Sequence, residues 1–287
     1  MATHKVYNQS CIEGMSEHIQ DNSVDLIFTD PPYGIEGDKL DSHYNRNESH
    51  VVPGYVEVAL ESYDQFSKDW ITECARVLRP GGSMYIVSGY TNLHHILNAL
   101  HGTELKEINH VVAKYSFGVS TKKKFVSSHY HVLFWSKPDK GEQKRTFNTY
   151  YKYTDQKDSY HDRLSVQDMP RAHNPGKTKN KNQLSEDFIE KFIMYSSNRG
   201  DVVLDCFGGG FTTARTALRW GRNFIGFELN QHAYDAFVPT LDSVIELEDL
   251  PAISPDDEEL AKRNKMRQGW QQNRLKKKTK KTTSQIG

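Results

Sequence analysis

The distribution of apolar residues predicts short buried strands that alternate with amphipathic helices. Apolar runs at 24–28, 202–204 and 224–227 have the length of strands that are buried on both faces. Apolar residues at helical spacing between 66 and 78 predict one helix, and a second helix is predicted to end near Trp220. Strands that alternate with helices in this way are typical of an α/β fold with a mostly parallel sheet.

Further elements extend the pattern along the chain. Residues 93–100 and 184–195 have the periodicity of amphipathic helices. The apolar runs at 111–115 and 132–135 predict an antiparallel pair of edge strands. The string Arg-Pro-Gly-Gly at 79–82 is predicted to end the helix that precedes it, because proline and glycine both disfavour helix.

The first candidate for chemistry is the string Asp30-Pro31-Pro32-Tyr33, which directly follows the strand at 24–28. Each proline fixes its own φ and lacks an N–H, and Pro31 also favours an extended Asp30. The carbonyls of this turn are therefore predicted to be fixed in place with few local donors. A planar base with an exocyclic amino group suits such a turn: the amino group would donate to Asp30 and to the Pro31 carbonyl, and Tyr33 would stack on the base. A tight loop capped by an aspartate is the structural alternative.

The second candidate is the segment Asp205-Cys206-Phe207-Gly208-Gly209-Gly210-Phe211-Thr212-Thr213, which follows the strand at 202–204. Glu228 ends the next strand, about 20 residues after the glycines. A strand, a glycine-rich turn, a helix and a strand with a terminal acid form a nucleotide-binding βαβ unit, in which the acid accepts hydrogen bonds from ribose hydroxyls. The glycines do not follow G-x-G-x-x-G, so adenosine attached to an amino acid suits the segment better than a dinucleotide.

These two segments resemble motifs IV and I of the DNA amino-methyltransferases, which transfer a methyl group from S-adenosylmethionine to adenine N6 or cytosine N4. The catalytic motif comes first in the chain, as in the permuted, beta-type members. The resemblance implies a single Rossmann-like S-adenosylmethionine-dependent methyltransferase domain with a mixed, mostly parallel sheet and an inserted target-recognition region. It implies S-adenosylmethionine as the cofactor and no metal. The strands before the two motifs are expected to be neighbours, with both loops at the carboxyl edge of the sheet.

The resemblance also implies roles for individual residues. Catalysis is expected from Asp30, Pro31, Pro32 and Tyr33. Cofactor binding is expected from the glycine-rich segment, from the acid that ends the next strand and from the catalytic aspartate, that is, from Asp205, Phe207, Gly208, Gly209, Thr212, Thr213, Glu228, Asn230 and Asp30. DNA binding is expected from Lys122, Lys123, Lys124 and His129, although a packed loop histidine is an equal alternative for His129.

Two positions depart from the usual family pattern of the cofactor motif. Cys206 replaces the common proline, and Gly210-Phe211 stands where Ser-Gly is more common. A phenylalanine at that place also occurs in some members, so the departure is expected to be tolerated.

The formal net charge of +0 argues at first against a nucleic-acid partner. However, residues 262–281 contain ten Lys and Arg and no acid, and smaller basic clusters lie at 122–124 and 177–181. Attraction to phosphate is screened over about 8–10 Å, so local clusters matter more than the sum. Together with the resemblance, they predict double-stranded DNA as the partner. A homodimer and a cognate restriction endonuclease, as in restriction-modification systems, stay open.

A length of 287 residues accommodates one large α/β domain with insertions. A methyltransferase catalytic domain is expected at 1–245, with an active-site loop insertion at 36–62 and a target-recognition region at 137–172. A charged C-terminal tail is expected at 246–287.

The sequence has neither the long apolar run of a membrane span nor an N-terminal signal pattern. The protein is therefore expected to be soluble and cytoplasmic, without a membrane partner, and to be encoded by a bacterium or phage and act on host DNA. Cys11, Cys74 and Cys206 have no metal-ligand spacing and are predicted to be reduced thiols, with Cys74 in the core.

The chemistry favoured by these motifs is that of a site-specific, adenine-N6 DNA methyltransferase. Aspartate as the first residue of the catalytic motif favours adenine, because cytosine-N4 members more often have serine there; cytosine N4 is the alternative.

A non-catalytic DNA-binding relative would usually have lost Asp30, Tyr33, Asp205 or Glu228, and all four are present. A nicotinamide-dependent oxidoreductase does not need the proline motif. Protein-glutamine and RNA methyltransferases usually begin that motif with Asn and place it after the cofactor motif.

Overall fold

The computed structural model of the chain describes residues 1–34, 58–115, 122–123, 125–149, 163–169 and 184–248. The strands among them are β1 (His4–Tyr7), β2 (Val24–Thr29), β3 (Leu78–Ser88), β4 (Lys106–Lys114), β5 (His129–Ser136), β6 (Val166–Asp168), β7 (Val202–Asp205) and β8 (Asn223–Phe227). The α-helices are α1 (Cys11–His18), α2 (Leu60–Val77), α3 (Leu93–His101), α4 (Glu186–Ser196), α5 (Thr212–Arg219) and α6 (Gln231–Phe237), and a 3₁₀ helix follows at Val238–Ser243.

All the described strands belong to one sheet, in the order β1-β8-β7-β2-β3-β5-β4-β6. Only the pairings of β5 with β3 and with β4 are antiparallel among the described strands; the other pairings are parallel. The predicted α/β class with a mixed, mostly parallel sheet is confirmed. The predicted antiparallel pair is confirmed as β4 and β5. Its predicted position at the edge is wrong, because β5 lies between β3 and β4, and β6 adds to the outer side of β4. The short polar sequence of β6 gave no strand signal.

Helices cover both faces of the sheet, and this explains the continuous apolar run of β2. Ile27 belongs to the core on one face, together with α1, α2 and α3. Leu26 and Phe28 belong to the core on the other face, together with α4 and α5. A central strand that is buried on both faces has apolar residues at consecutive positions, here 26–28, rather than only at alternate ones. Asp25, near the start of the strand, is paired with Arg79.

The Arg-Pro-Gly-Gly string ends α2 as predicted, but it also begins the next strand. Helix α2 stops at Val77, and β3 already starts at Leu78. The pairing of β2 with β3 shifts between Val24–Leu78 and Leu26–Ser83, so the string forms an irregularity inside the strand. Gly81 has φ +72°, and a Cβ there would lie 2.6 Å from the Gln143 carbonyl oxygen, so glycine is required.

Several predicted segments lie wholly or partly outside the described residues. These are positions 36–57 of the active-site loop insertion, positions 150–162 and 170–172 of the target-recognition region, and the tail beyond 248. The first described part of the recognition region is built into the body of the protein. Lys137 is buried there and donates to the Ala75 carbonyl at 2.7 Å and to the Asn22 side chain at 2.8 Å. No helix in the described ranges is long and apolar enough to cross a membrane.

Candidate active site

The two candidate segments follow neighbouring parallel strands. Strands β2 and β7 pair through Leu26–Val203 and Ile27–Leu204, so Asp30 and Asp205 come at the same edge of the sheet. The Thr29 hydroxyl, at the end of β2, donates to Asp205 Oδ1 at 2.9 Å. The expectation that the strands before the two motifs are neighbours is confirmed, and a buried hydrogen bond joins them directly.

The segment 30–34, here called the proline loop, receives its hydrogen bonds from other parts of the chain. The Tyr63 hydroxyl on α2 donates to the Pro32 carbonyl at 2.8 Å. Asn92, which precedes α3, donates to the Tyr33 carbonyl at 2.7 Å and to the Gly34 carbonyl at 3.0 Å. The sequence correctly indicated few local donors, but it did not reveal these two distant ones. Neither Tyr63 nor Asn92 lies in a recognisable motif, so no signal in the sequence could have identified them.

The proline loop also has an internal contact between its two functional side chains. The Tyr33 hydroxyl donates to Asp30 Oδ1 at 2.7 Å. Within the described residues, no donor is found for the Pro31 carbonyl. Gly34 closes the loop with φ +64°, and a Cβ there would lie 2.5 Å from the Tyr63 ring. The loop therefore fixes a carboxylate and a backbone carbonyl, the two acceptors that the sequence predicted.

A tyrosine that the sequence analysis missed lies beside the proline loop. The Tyr130 ring on β5 lies 6.4 Å from the Tyr33 ring and 5.0 Å from the Tyr115 ring, measured between centroids. Its neighbour His129 instead contacts His131, with 5.0 Å between ring centroids. Since successive strand residues point to opposite faces, Tyr130 and His129 cannot both face Tyr33. The alternation of side chains along the strand at 129–131 is the signal that could have identified Tyr130, because it places Tyr130 and not His129 on the side of Tyr33.

His131 lies among histidines and does not share the surroundings of Tyr33. Its Nδ1 is 2.7 Å from Nε2 of His110. Burial, together with the nearby His110 and His129, lowers the pKa of His131 to about 4. His131 is therefore neutral near pH 7. The described residues contain no group of three or more His, Cys, Asp or Glu side chains that could hold a metal ion.

The turn between β7 and α5, here called the glycine turn (residues 206–211), is fixed by the strand that follows it. The Gly208 N–H donates to the Phe227 carbonyl at 2.8 Å, and the Gly209 N–H donates to Glu228 Oε2 at 2.6 Å. Glu228 Oε1 accepts from the Asn230 N–H at 2.7 Å. Burial raises the pKa of Glu228 in spite of these backbone donors. Each carboxylate oxygen has a second lone pair, so Glu228 can still accept ligand hydroxyls.

Phe211 has an unusual backbone conformation at the end of the glycine turn. It has φ 53° and ψ 36°, a left-handed conformation that favours glycine, and it is fully buried. Its ring lies against Gly208, where a Cβ would come within 2.5 Å of it. The predicted tolerance of Phe211 thus has a structural basis: the ring fills the core on the α4 and α5 face, and this packing offsets the backbone strain.

The remaining residues predicted to bind cofactor occupy distinct places around the turn. Thr212 and Thr213 begin α5 and are buried. The Phe207 ring packs edge-on against Trp70 with 5.4 Å between centroids, so it contributes to the core as well as to the turn. The Asn230 side chain caps α6 by accepting from the N–H groups of His232 and Ala233.

Asp205 is a strongly perturbed carboxylate at this edge. It is only 4% exposed, and burial raises its pKa to about 7. Hydrogen bonds from the Phe207 N–H and from the Thr213 and Thr29 hydroxyls favour the charged form, whereas the negative charge of Asp30 opposes it. A buried carboxyl poised near neutral pH is typical of functional sites, although structural networks produce it too.

The three cysteines are free thiols that meet beneath the glycine turn. Cys206 Sγ lies 3.4 Å from Cys74 Sγ on α2, and Cys206 also contacts Cys11 on α1. Cys74 is fully buried in the core, as predicted. At position 206 a thiol therefore packs against two other thiols, which proline could not do.

The residues predicted to bind DNA are only partly described. Lys122 and Lys123 are exposed, and Lys124 lies outside the described residues. His129 is the first residue of β5 and is partly buried.

Comparisons with known proteins agree with this geometry. A family model described as "DNA methylase" matches residues 24–239. The type II methyltransferase M.BamHI of Bacillus amyloliquefaciens is 31% identical over 250 residues, which cover 78% of this chain and 54% of that protein. M.HinfI of Haemophilus influenzae is 30% identical over 236 residues, which cover 78% of this chain and 64% of that protein. The chain therefore spans less than two thirds of either relative.

The fold also matches solved structures. The crystal structure of the M1.HpyAVI–SAM complex superposes with a TM-score of 0.59 at 21% identity, covering 84% of this chain and all of that one. At this identity the likeness shows a shared fold.

Proposed function

The chain belongs to the N6/N4 DNA methylase family, and from this premise we propose that it transfers a methyl group from S-adenosylmethionine to the N6 amino group of adenine in duplex DNA. One observation carries the proposal: the proline loop and the glycine turn lie side by side at the carboxyl edge of β2 and β7, joined by the bond from Thr29 to Asp205. Open α/β sheets bind their ligands at this edge.

The glycine turn fits the cofactor. Glu228 presents a carboxylate that two backbone N–H groups already orient, which suits the two hydroxyls of a ribose. Gly208 has no room for a Cβ, so the backbone itself forms the wall of the turn. Residues Asp205 and Thr213 would complete the site at the methionine end. Bound S-adenosylmethionine would supply the electrophilic methyl group.

The proline loop fits an exocyclic amino group. The nitrogen of such a group is a poor nucleophile, because its lone pair is delocalised into the ring. Asp30 and the Pro31 carbonyl would accept its two hydrogens and draw the nitrogen towards tetrahedral geometry. The same two acceptors stabilise positive charge that develops on the nitrogen, and since the loop is held by Tyr63 and Asn92, they need little reorganisation.

The aromatic side chains favour a base that has left the duplex. A target atom inside a DNA stack cannot reach a loop of this kind, so the base must be extruded and held by stacking. The rings of Tyr33 and Tyr130 lie close enough together to border one planar ligand. The Tyr33 hydroxyl holds Asp30 Oδ1, so the same residue would support the base and orient the carboxylate.

The choice of adenine rests on Asp30 as the first residue of the motif. An aspartate accepts two hydrogen bonds on its carboxylate, and the family resemblance associates it with adenine more often than with cytosine. Exposed Lys122 and Lys123 favour DNA as the substrate, since Lys side chains neutralise phosphate without regard to sequence.

The test is direct identification of the methylated base. Purified full-length protein is incubated with unmethylated genomic DNA and methyl-labelled S-adenosylmethionine, and the DNA is digested to nucleosides. Label in N6-methyladenine, lost in Asp30→Ala, is the expected result. Label in N4-methylcytosine would change the proposed target base from adenine to cytosine and would leave the assignment of the site residues unchanged. Cofactor binding without label in any base would contradict the proposed reaction.

A further inference from the structure

The outer side of the glycine turn is held by an arginine that no motif includes. Arg215 on α5 donates from Nη1 to the Gly210 carbonyl at 2.6 Å and from Nη2 to the Thr212 hydroxyl oxygen at 3.4 Å. Its side chain is 20% exposed, so these bonds are partly shielded from water. A guanidinium has several donors in a rigid planar fork, so it can hold an acceptor of the turn and an acceptor at the start of α5 at the same time.

The same guanidinium is anchored to a second helix. Arg215 Nε donates to Glu186 Oε1 at 3.3 Å, and Glu186 lies in the first turn of α4. Glu186 Oε2 also accepts from Arg219 at 2.7 Å. Both arginines share this carboxylate, but they differ in their other contact. Arg215 also reaches the glycine turn, whereas Arg219 lies one helical turn further along α5 and contacts the carboxylate from there.

The glycine turn has one internal hydrogen bond, from the Phe211 N–H to the Gly208 carbonyl at 2.6 Å, and its glycines offer no side chains for further support. Gly209 and Gly210 have no side chains, and Gly209 has φ +50°. On the inner side Glu228 fixes the Gly209 N–H, and on the outer side Arg215 fixes the next carbonyl. A glycine backbone without these anchors would have to be ordered when a ligand binds, and that ordering reduces affinity.

We propose that Arg215 is a positioning residue for cofactor binding: tied to Glu186, it holds the glycine turn in the conformation that receives S-adenosylmethionine. This inference rests on the proposed function. It assigns to Arg215 an effect on cofactor affinity, with no contact to the reacting atoms and no effect on the affinity for DNA.

The test compares two arginines that share one partner. Binding of S-adenosylmethionine to the full-length protein is measured by titration calorimetry for the wild type, Arg215→Met and Arg219→Met. Arg215→Met is expected to weaken binding about 10- to 30-fold, the lower part of the range for a lost charge-assisted hydrogen bond. Arg219→Met removes an ion pair with the same Glu186 and is expected to leave cofactor affinity unchanged.

Two further measurements separate positioning from general stability. Thermal melts of both methionine variants are expected to show similar, small losses, so a difference in cofactor affinity cannot come from unfolding. Arg215→Lys keeps a cationic donor for the Gly210 carbonyl and is expected to recover part of the affinity. If Arg215→Met fails to fold, Arg215→Lys against Arg219→Lys provides the same comparison.

Either of two results would overturn the inference. In the first, Arg215→Met binds S-adenosylmethionine as tightly as the wild type. In the second, Arg215→Met and Arg219→Met weaken the binding of S-adenosylmethionine equally. A loss of DNA affinity in Arg215→Met with cofactor affinity unchanged would make Arg215 a phosphate contact instead. Failure of the wild type itself to bind S-adenosylmethionine would overturn the proposed function, and this result is distinct from the others.

Discussion

The glycine turn and the proline loop lie at the same edge of the sheet, but they are held in different ways. The glycine turn bonds to the strand that follows it in the same βαβ unit: Gly209 and Glu228 are 19 residues apart. The proline loop bonds to Tyr63 and Asn92, which are 31 and 59 residues from their partners and belong to other elements. One region is built locally, whereas the other depends on the assembled domain.

This difference separates two functions within the proposed enzyme. Substitution of the residues that hold the proline loop should reduce the rate of methyl transfer without reducing cofactor affinity. Substitution of the residues that hold the glycine turn should mainly reduce cofactor affinity. Asp205 is the exception, since it ends β7 directly before the glycine turn and accepts a bond from Thr29 on the strand that leads into the proline loop. The following substitutions test whether the two regions are energetically separate.

Asp30→Ala is expected to have the largest effect. It removes one of the two acceptors for the amino group, and the rate of methyl transfer should fall by about 100-fold or more, as when a preorganised electrostatic contact is lost from an active site. Single-turnover transfer from labelled cofactor measures the rate. Calorimetry measures cofactor affinity, which should fall far less than the rate even though Asp30 is also expected to contact the cofactor. A parallel loss of cofactor affinity would show that the two regions are not separate.

Asp205→Asn tests the link between the regions through pH. In the folded protein the pKa of Asp205 is about 7, against 3.8 as its ordinary value, so the folded state takes up a proton where the unfolded state does not. This contribution to stability is fully present below pH 3.8 and is lost as the pH rises through 7. Between pH 7 and 5 the wild type should gain on the order of 2 kcal/mol of unfolding free energy relative to Asp205→Asn.

Urea denaturation at several pH values measures this difference. Asp235→Asn is the control, since Asp235 is an exposed aspartate on α6 and its replacement should give no such pH dependence. A free-energy difference between wild type and Asp205→Asn that does not vary with pH would contradict the elevated pKa of Asp205.

Asn92→Leu is expected to have an intermediate effect. Asn92 is buried, and its replacement by an apolar side chain of similar size removes the hydrogen bonds that it donates to the carbonyls of Tyr33 and Gly34. The transfer rate should fall about tenfold, which corresponds to one lost hydrogen bond. Cofactor affinity should stay the same, and Asn98→Leu, at an exposed position of the adjacent α3, should have no effect on either quantity. Weakened cofactor binding in Asn92→Leu would show that the proline loop and the glycine turn are energetically coupled.

Tyr33→Phe is expected to have the smallest effect, because it keeps the ring and removes the hydroxyl that donates to Asp30 Oδ1. The transfer rate should fall about threefold, the lower range for a single hydrogen bond. Base extrusion, measured by 2-aminopurine fluorescence in duplex DNA, should be retained because the stacking surface is intact. Tyr234→Phe, which removes a hydroxyl bond remote from the proline loop, is the control. Loss of the fluorescence change would assign the hydroxyl to base binding instead of to Asp30.

The strands and the two motif segments were predictable because their signals are local. The continuous apolar runs of β2 and β7 follow from burial on both faces, and the turn that follows each strand contains the expected residue types. Strand β6 was not predicted, because three mostly exposed residues join the sheet only through pairing with β4. Tyr130 was missed since its neighbour His129 drew the functional interpretation, although only one of the two can face Tyr33.

The sequence by itself determined the fold class, the order of the two motifs and the chemistry that their side chains can perform, because these depend on residue type and short-range spacing. Only the tertiary structure decided which distant residues fix the proline loop, that Asp205 is buried enough to have a pKa near 7, and that Arg215 instead of Arg219 holds the glycine turn. The supports of the proline loop, the burial of Asp205 and the anchoring of Arg215 by Glu186 depend on contacts between residues far apart in the chain. Hydrogen bonds and desolvation act over a few ångströms of space, whatever the separation in sequence.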